Sequence, residues 1–122
     1  MRVMVVDDEK DVEMLFNQHF RKEIREGRIS LLFAFSGEDA LARIAALPYP
    51  PDLVWIFTDI NMPGMNGLEL LKALKRLYPS IKVSMITAYG DQYARDAATA
   101  GADRYYVKPL DFQALKRELF ES

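Results

Sequence analysis

Residues 57–67 read FTDINMPGMNG and pass abruptly from apolar to loop-forming character. The apolar run at residues 53–57, which leads into this segment, predicts a strand that is buried on both faces. The run gives way to Asp59, and Pro63 and Gly64 then favour a loop, because proline removes a backbone donor and glycine tolerates backbone angles that other residues avoid. The sequence therefore predicts a central strand that ends in a carboxylate and opens into a loop.

Asp59 by itself has two interpretations. It can be a turn residue that simply terminates the strand, since aspartate is common at such positions. It can also be a functional acid, because open α/β sheets place their chemistry at the carboxyl ends of the strands. The organisation of the rest of the chain favours the second interpretation.

Apolar runs and helical periodicities alternate along the whole sequence. Four more short apolar runs predict strands at residues 2–6, 29–35, 81–87 and 104–107. Strict alternation with helices predicts parallel strands joined by right-handed crossovers. Five helices are predicted, from Val12 towards Arg25, from Ser36 to Leu47, from about 66 to 78, from Gly90 to Gly101, and from Asp111 onward. The predicted fold class is α/β, a doubly wound five-stranded parallel sheet flanked by five helices, in a single domain over residues 1–122.

Composition narrows the classes of function. A formal net charge of −2 gives no electrostatic reason to expect binding to nucleic acid or to a membrane surface. The chain has no cysteine, which excludes disulfides, thiolate metal sites and a cysteine nucleophile. No glycine-rich phosphate loop follows the first strand, and no apolar run reaches transmembrane length. We therefore expect a soluble, cytoplasmic protein.

Polar residues follow four of the predicted strands. Asp7 and Asp8 leave the first strand, Asp59 the third, Thr87 the fourth and Lys108 the fifth. Parallel strands bring their carboxyl ends to one edge, so three carboxylates, a hydroxyl and an ammonium group should meet there. Clustered carboxylates repel one another, and Mg²⁺, which prefers oxygen ligands, relieves that repulsion. A phosphoryl group could replace a water on the ion, with the hydroxyl and the ammonium group binding its other oxygens.

Simpler interpretations exist for several residues. Asp7 and Asp8 could cap the first helix, Thr87 could be an ordinary strand residue, and Lys108 could be a solvated loop charge. His19 lies on the apolar side of the first helix, which favours a packed imidazole over a phosphorelay histidine. The charged residues from Glu23 to Arg28 are typical of a solvated face.

The four strand-end motifs together resemble the receiver domain of two-component response regulators. The resemblance covers essentially the whole chain and is specific because the motifs occur in the right order, each at a strand end. It implies the flavodoxin-like strand order 2-1-3-4-5. The motifs are Asp7-Asp8, the segment 58–64 (TDINMPG), Thr87-Ala88 and Lys108-Pro109. Two segments are longer than the family pattern, at 55–58 and at 21–28.

The resemblance implies the chemistry of the acids. Asp59 would accept a phosphoryl group from a histidine kinase or a phosphotransfer protein, forming an aspartyl phosphate. Asp8 and Asp59 would bind Mg²⁺ through their side chains and Asn61 through its backbone carbonyl, with Asp7 assisting through water. The protein would be a signalling switch, and would be no enzyme beyond assisting its own phosphorylation and dephosphorylation.

The resemblance also implies a route for the signal. Lys108 would pair with Asp59 and then with the phosphoryl group, while Thr87 would donate its hydroxyl to a phosphoryl oxygen. The movement of Thr87 would let Tyr105, the aromatic residue three positions before the lysine, turn inward. The surface formed by the fourth helix, fifth strand and fifth helix would then change, and an output domain or a second copy would bind there.

Two other hypotheses come from different classes. A phosphohydrolase of the haloacid-dehalogenase kind also uses an aspartyl nucleophile, but it requires a second acid two residues later, where this chain has Asn61. A degenerate receiver acting only as a scaffold conflicts with the complete set of acids together with Thr87 and Lys108.

Overall fold

Five parallel strands form a single sheet in the computed structural model, which describes residues 1–121. The spatial order is β2-β1-β3-β4-β5, so the predicted fold class and strand order are confirmed. The strands are β1 (Arg2–Val6), β2 (Ser30–Ala34), β3 (Trp55–Asp59), β4 (Lys82–Thr87) and β5 (Arg104–Val107). Every residue of β3 is buried, as expected for an apolar strand that is covered on both faces.

Helices cover both faces of the sheet and belong to two separate apolar clusters. One face packs Ile56 and Met85 against α3, α4 and α5, and the other packs Val5 and Phe57 against α1 and α6. The helices are α1 (Asp11–His19), α2 (Arg21–Arg25), α3 (Gly37–Ala45), α4 (Gly67–Leu77), α5 (Ala94–Thr99) and α6 (Phe112–Glu121). Along the part of the chain that the structure describes, no helix is long and apolar enough to cross a membrane.

The first predicted helix is divided in the structure, so that six helices flank the sheet where five were expected. Phe20 separates α1 from α2, with φ −102° and ψ 12°. Its side chain is fully buried between Phe16 and Phe112. Glu23 of α2 is also buried, and its carboxylate lies 3.1 Å from the ammonium nitrogen of Lys116. The prediction that Glu23 belongs to a solvated face was therefore wrong.

The third strand is displaced by two residues from the predicted run 53–57. Leu53 is buried, but ladder pairing begins at Trp55, which lies opposite Val3. Asp59 is therefore the last residue of the strand itself and pairs in register with Ile86 of β4. This register fixes the carboxylate at the edge of the sheet.

His19 is packed, as its position on the apolar side of α1 indicated. Its imidazole stacks on the ring of Phe112, with centroids 3.9 Å apart and planes 4° from parallel. The residue as a whole is nonetheless exposed to solvent.

Candidate functional site

Three aspartates meet at the carboxyl edge of the sheet. Asp7 and Asp8 follow β1, and Asp59 ends the adjacent strand β3. One carboxylate oxygen from each residue lies within 4.8 Å of the other two. Asp7 and Asp59 are only 5% and 6% exposed, whereas Asp8 is open to solvent. This is an oxygen-only donor set with one accessible side, which is the chemistry that Mg²⁺ prefers.

Lys108 connects the two buried acids. Its ammonium nitrogen Nζ lies 3.3 Å from Oδ2 of Asp7 and 3.3 Å from Oδ2 of Asp59. Burial lowers the pKa of Lys108, but the two carboxylates outweigh that effect and the pKa is raised overall. The backbone N–H of Lys108 donates to the carbonyl of Thr87 over 2.7 Å, which anchors the lysine beside the end of β4. The single ammonium group of Lys108 thus pairs with two buried carboxylates.

The electrostatic imbalance is greatest at Asp7. The pKa of its carboxyl group is raised from 3.8 to about 6, chiefly by burial and in addition by the neighbouring charge of Asp59. The N–H of Glu9, which donates to Oδ1 over 2.9 Å, and the charge of Lys108 act in the opposite direction without cancelling the shift. A divalent cation in the cluster would favour the ionised form, because it supplies the positive charge that the site lacks.

The loop after β3 turns tightly because α4 begins directly against the strand end. The N–H of Gly67 donates to the carbonyl of Ile60 over 2.8 Å. A Cβ atom on Gly67 would overlap the carbonyl oxygen of Asp59 and lie 2.7 Å from Cα of Ile60. Asn66 and Glu69 complete the turn with a reciprocal capping box. Glycine is therefore required at 67 for the chain to pass so close to the acid.

Asn61 lies beside the acid, as predicted. Its backbone N–H donates to Oδ1 of Asp59 over 3.3 Å. Its side-chain amide donates to the phenol oxygen of Tyr93, also over 3.3 Å. Further along the same loop, the N–H of Met65 donates to a carboxylate oxygen of Glu38 over 3.3 Å. The side chains of Tyr93, which precedes α5, and of Glu38, in α3, thus hold this loop in place.

Thr87 and Tyr105 both contact the segment between β4 and α5. Thr87 is fully buried, and its hydroxyl oxygen accepts the N–H of Tyr89 over 3.0 Å. The phenol of Tyr105 donates to the carbonyl of Gly90 over 2.8 Å and accepts the N–H of Tyr93 over 3.3 Å. Both predicted residues therefore contact the segment between β4 and α5, and neither is bonded to Asp59.

Sequence reasoning named the acids, the lysine, the threonine and the loop as candidates, but it did not name Tyr93 or Glu38, which contact the loop after β3. The side chain of Tyr93 is hydrogen-bonded to Asn61, 32 residues away along the chain, and that of Glu38 to Met65, 27 residues away. Neither bond leaves a periodic signal in a single sequence. The edge of the sheet brings together Asp7, Asp8, Asp59 and Lys108 directly, and Asn61 through its bond to Asp59.

A parallel 2-1-3-4-5 sheet with three acids and a lysine at its carboxyl edge defines a flavodoxin-like α/β protein with a candidate phosphoryl site. Residues 3–120 match the family model described as the response regulator receiver domain. The chain belongs to this family, whose general function is phosphoryl transfer on an aspartate in two-component signalling. Members of the family are signalling domains that interact with histidine kinases and output domains, and they generally bind Mg²⁺ at an acidic pocket.

Individual relatives agree with this assignment. The chain is 31% identical over 116 residues to sporulation initiation phosphotransferase F of Bacillus subtilis, covering 94% of this chain and 87% of that protein. It is 33% identical over 120 residues to the two-component response regulator PhoP of Pseudomonas aeruginosa, covering 98% of this chain but 50% of that protein. It also resembles the response regulator protein TrrA of Thermotoga maritima, solved in complex with Mg²⁺-BeF, with 30% identity and a TM-score of 0.79 over 98% of this chain and 96% of that one.

Proposed function

We propose that residues 1–122 form a single receiver domain that accepts a phosphoryl group on Asp59 from a histidine kinase or a phosphotransfer protein. The observation that carries the proposal is the placement of Oδ2 of Asp59, buried and 3.3 Å from Nζ of Lys108 within the three-aspartate cluster. A carboxylate oxygen of Asp59 attacks the phosphorus atom, and the bond from phosphorus to the donor imidazole nitrogen breaks. The imidazole leaves with the bonding electron pair and takes up a proton, which gives an aspartyl phosphate.

Asp8 and Asp59 would hold Mg²⁺ with their side chains, Asn61 with its backbone carbonyl, and Asp7 through a water molecule. The oxygen-only donor set and the raised pKa of Asp7 support this ligand list. The ion would neutralise charge that develops on the phosphoryl oxygens. The exposed side of Asp8 leaves room for the remaining ligands to be waters or phosphoryl oxygens.

Lys108 would move from a shared partner of two carboxylates to a partner of the phosphoryl group. Its raised pKa supports this role, because the side chain stays charged throughout the physiological range. Charge-assisted hydrogen bonds to a dianionic phosphoryl group are stronger than bonds between neutral groups. The lysine would thus form a charge-assisted bond with the phosphorylated product.

Thr87 and Tyr105 would relay the phosphorylated state. A phosphoryl oxygen would attract the hydroxyl hydrogen of Thr87, whose oxygen at present accepts the N–H of Tyr89. Movement of this segment would disturb the bond from Tyr105 to Gly90 and let the phenol ring change its packing. Tyr105 belongs to the surface formed by α5, β5 and α6, where an output domain or a second copy of the chain would bind.

Treatment with acetyl phosphate and Mg²⁺, followed by intact-protein mass spectrometry, tests the proposal. We expect a single stoichiometric phosphoryl adduct on the wild type, and none on Asp59→Asn or in the presence of EDTA. Asp52→Asn is the matched control, since it makes the same change at an exposed carboxylate remote from the cluster. Undiminished labelling of Asp59→Asn would overturn the assignment. Phosphate release in large excess over protein would favour the phosphohydrolase alternative instead.

A further inference from the structure

Tyr93 joins the two loops that border the candidate site. It immediately precedes α5, and its phenol oxygen accepts the side-chain amide of Asn61 over 3.3 Å. Asn61 in turn donates its backbone N–H to Asp59 over 3.3 Å. Tyr93, in the segment between β4 and α5, is thus joined by a single hydrogen bond to the loop that follows Asp59.

The backbone of Tyr93 makes a second connection, on the opposite side. Its N–H donates to the phenol oxygen of Tyr105 over 3.3 Å, and that phenol donates to the carbonyl of Gly90 over 2.8 Å. The carbonyl of Tyr93 accepts the N–H of Ala97 in the first turn of α5, over 2.9 Å. Tyr93 therefore contacts the loop after Asp59 with its side chain and both α5 and β5 with its backbone.

We propose that Tyr93 is a positioning residue that transmits movement of Asn61 to Tyr105, by a route separate from Thr87. The inference rests on the proposed Mg²⁺ site, in which the backbone carbonyl of Asn61 would be a ligand and its backbone would adjust to the ion. The side-chain amide moves with that backbone, so the phenol of Tyr93 must follow it or lose the bond. Either outcome changes the geometry of the N–H that Tyr105 accepts.

The separation of the two routes is visible in the hydrogen bonds. Thr87 accepts only the N–H of Tyr89 through its hydroxyl, and among residues 1–121 no hydrogen bond joins its side chain to Tyr93 or Tyr105. Binding of Mg²⁺ alone should therefore act on Tyr105 through Tyr93, before any phosphoryl group recruits Thr87. Coupling between the Mg²⁺ site and Tyr105 requires an element whose conformation depends on both. Here that element is the segment from Gly90 to Tyr93.

The test follows the NMR signals of a protein with ¹³C-labelled tyrosine rings and ¹⁵N-labelled amides during titration with Mg²⁺ and then with beryllofluoride. In the wild type we expect Mg²⁺ to shift the amides of Asp8 and Asp59 and the ring signal of Tyr105. In Tyr93→Phe the two aspartate amides should respond fully, while Tyr105 loses most of its response to Mg²⁺. Tyr49→Phe removes the same atom from a ring that is 86% exposed in the loop before β3, and it should behave as the wild type.

Two further variants make the result specific. Asn61→Ala keeps the backbone groups and removes the side-chain bond, so it should reproduce the loss at Tyr105, and adding Tyr93→Phe to it should cause no further loss. Thr87→Ala should keep the response of Tyr105 to Mg²⁺ and lose its response to beryllofluoride. A wild-type response of Tyr105 in Tyr93→Phe would overturn this inference and leave the proposed function intact. Absence of any Mg²⁺ response at Asp8 and Asp59 in the wild type would overturn the metal site and this inference together.

Discussion

Replacement of Asp7 by asparagine should stabilise the metal-free protein, and the effect should grow with pH. Burial, reinforced by the charge of Asp59, raises the pKa of the Asp7 carboxyl group from 3.8 to about 6. The folded state therefore binds this proton more tightly than the unfolded state does. The resulting stabilisation is complete below pH 3.8 and is lost as the pH rises through about 6. Asparagine carries no charge at any pH and avoids this loss.

The size of the effect follows from the two pKa values. The difference between 3.8 and about 6 corresponds to about 3 kcal/mol of unfolding free energy, at roughly 1.4 kcal/mol for each pKa unit. The side-chain oxygen of asparagine can still accept the N–H of Glu9, which Oδ1 of Asp7 accepts at present. Lys108 keeps Asp59 as a partner. We therefore expect Asp7→Asn to equal the wild type at low pH and to exceed it by up to about 3 kcal/mol at neutral pH.

Urea unfolding followed by circular dichroism, in EDTA and at a series of pH values, measures this difference. Asp103→Asn is a control of opposite sign. Burial raises the pKa of Asp103, but hydrogen bonds from Lys75 and from the N–H of Val83 outweigh it, and the pKa is lowered overall. Its ionised form is therefore stabilising, so the stability of Asp103→Asn relative to the wild type should fall as the pH rises through the normal range of an aspartate. A difference in unfolding free energy between Asp7→Asn and the wild type that is constant with pH, or negative at neutral pH, would refute the electrostatic reasoning.

Two further expectations concern the loop and the metal. Gly67→Ala should destabilise by about 3 kcal/mol or more in urea unfolding, because its Cβ meets the backbone just after β3. Gly37→Ala, at the equivalent first position of α3, meets only a flexible methionine side chain and should cost clearly less; equal losses would contradict this account. Saturating Mg²⁺ should raise the melting temperature, with about 2.7 kcal/mol gained at a hundred times the dissociation constant, and Asp8→Ala should abolish most of that gain. A wild-type response of Asp8→Ala would remove this residue from the ligand set.

The arrangement of strands and helices could be predicted because it depends on local patterns. Apolar runs of strand length alternate with helical periodicities, and the polar residues after four of the runs indicate the edge at which the candidate site lies. The strand order 2-1-3-4-5 came from resemblance to a family, and the structure confirms it. Periodicity alone leaves that order open, because it reports which face of an element is buried and not which element lies beside it.

What could not be predicted depends on contacts between distant residues. The burial of Glu23 requires Lys116, which is 93 positions further along the chain. The division of the first helix at Phe20 depends on the same contact with α6, since the ring of Phe20 packs against Phe112. Tyr93 was missed for a similar reason. Its partner Asn61 lies on another loop, and only the folded sheet brings the two together.

The energetics of the edge explain why it suits a regulated site. Two carboxylates are buried there with a single ammonium group between them, so the metal-free fold carries an unbalanced negative charge. Burial, reinforced by the charge of Asp59, raises the pKa of Asp7, so a proton and a divalent cation would both relieve the cost of the ionised carboxylate. Ion binding at the proposed Mg²⁺ site would then be most favourable above a pH of about 6, where Asp7 has lost its proton. In the proposed function, a phosphoryl group on Asp59 would add negative charge to this already unbalanced site, and the cation and Lys108 would reorganise around it. Such a rearrangement would reach the segment between β4 and α5, because both Thr87 and Asn61 are hydrogen-bonded to it.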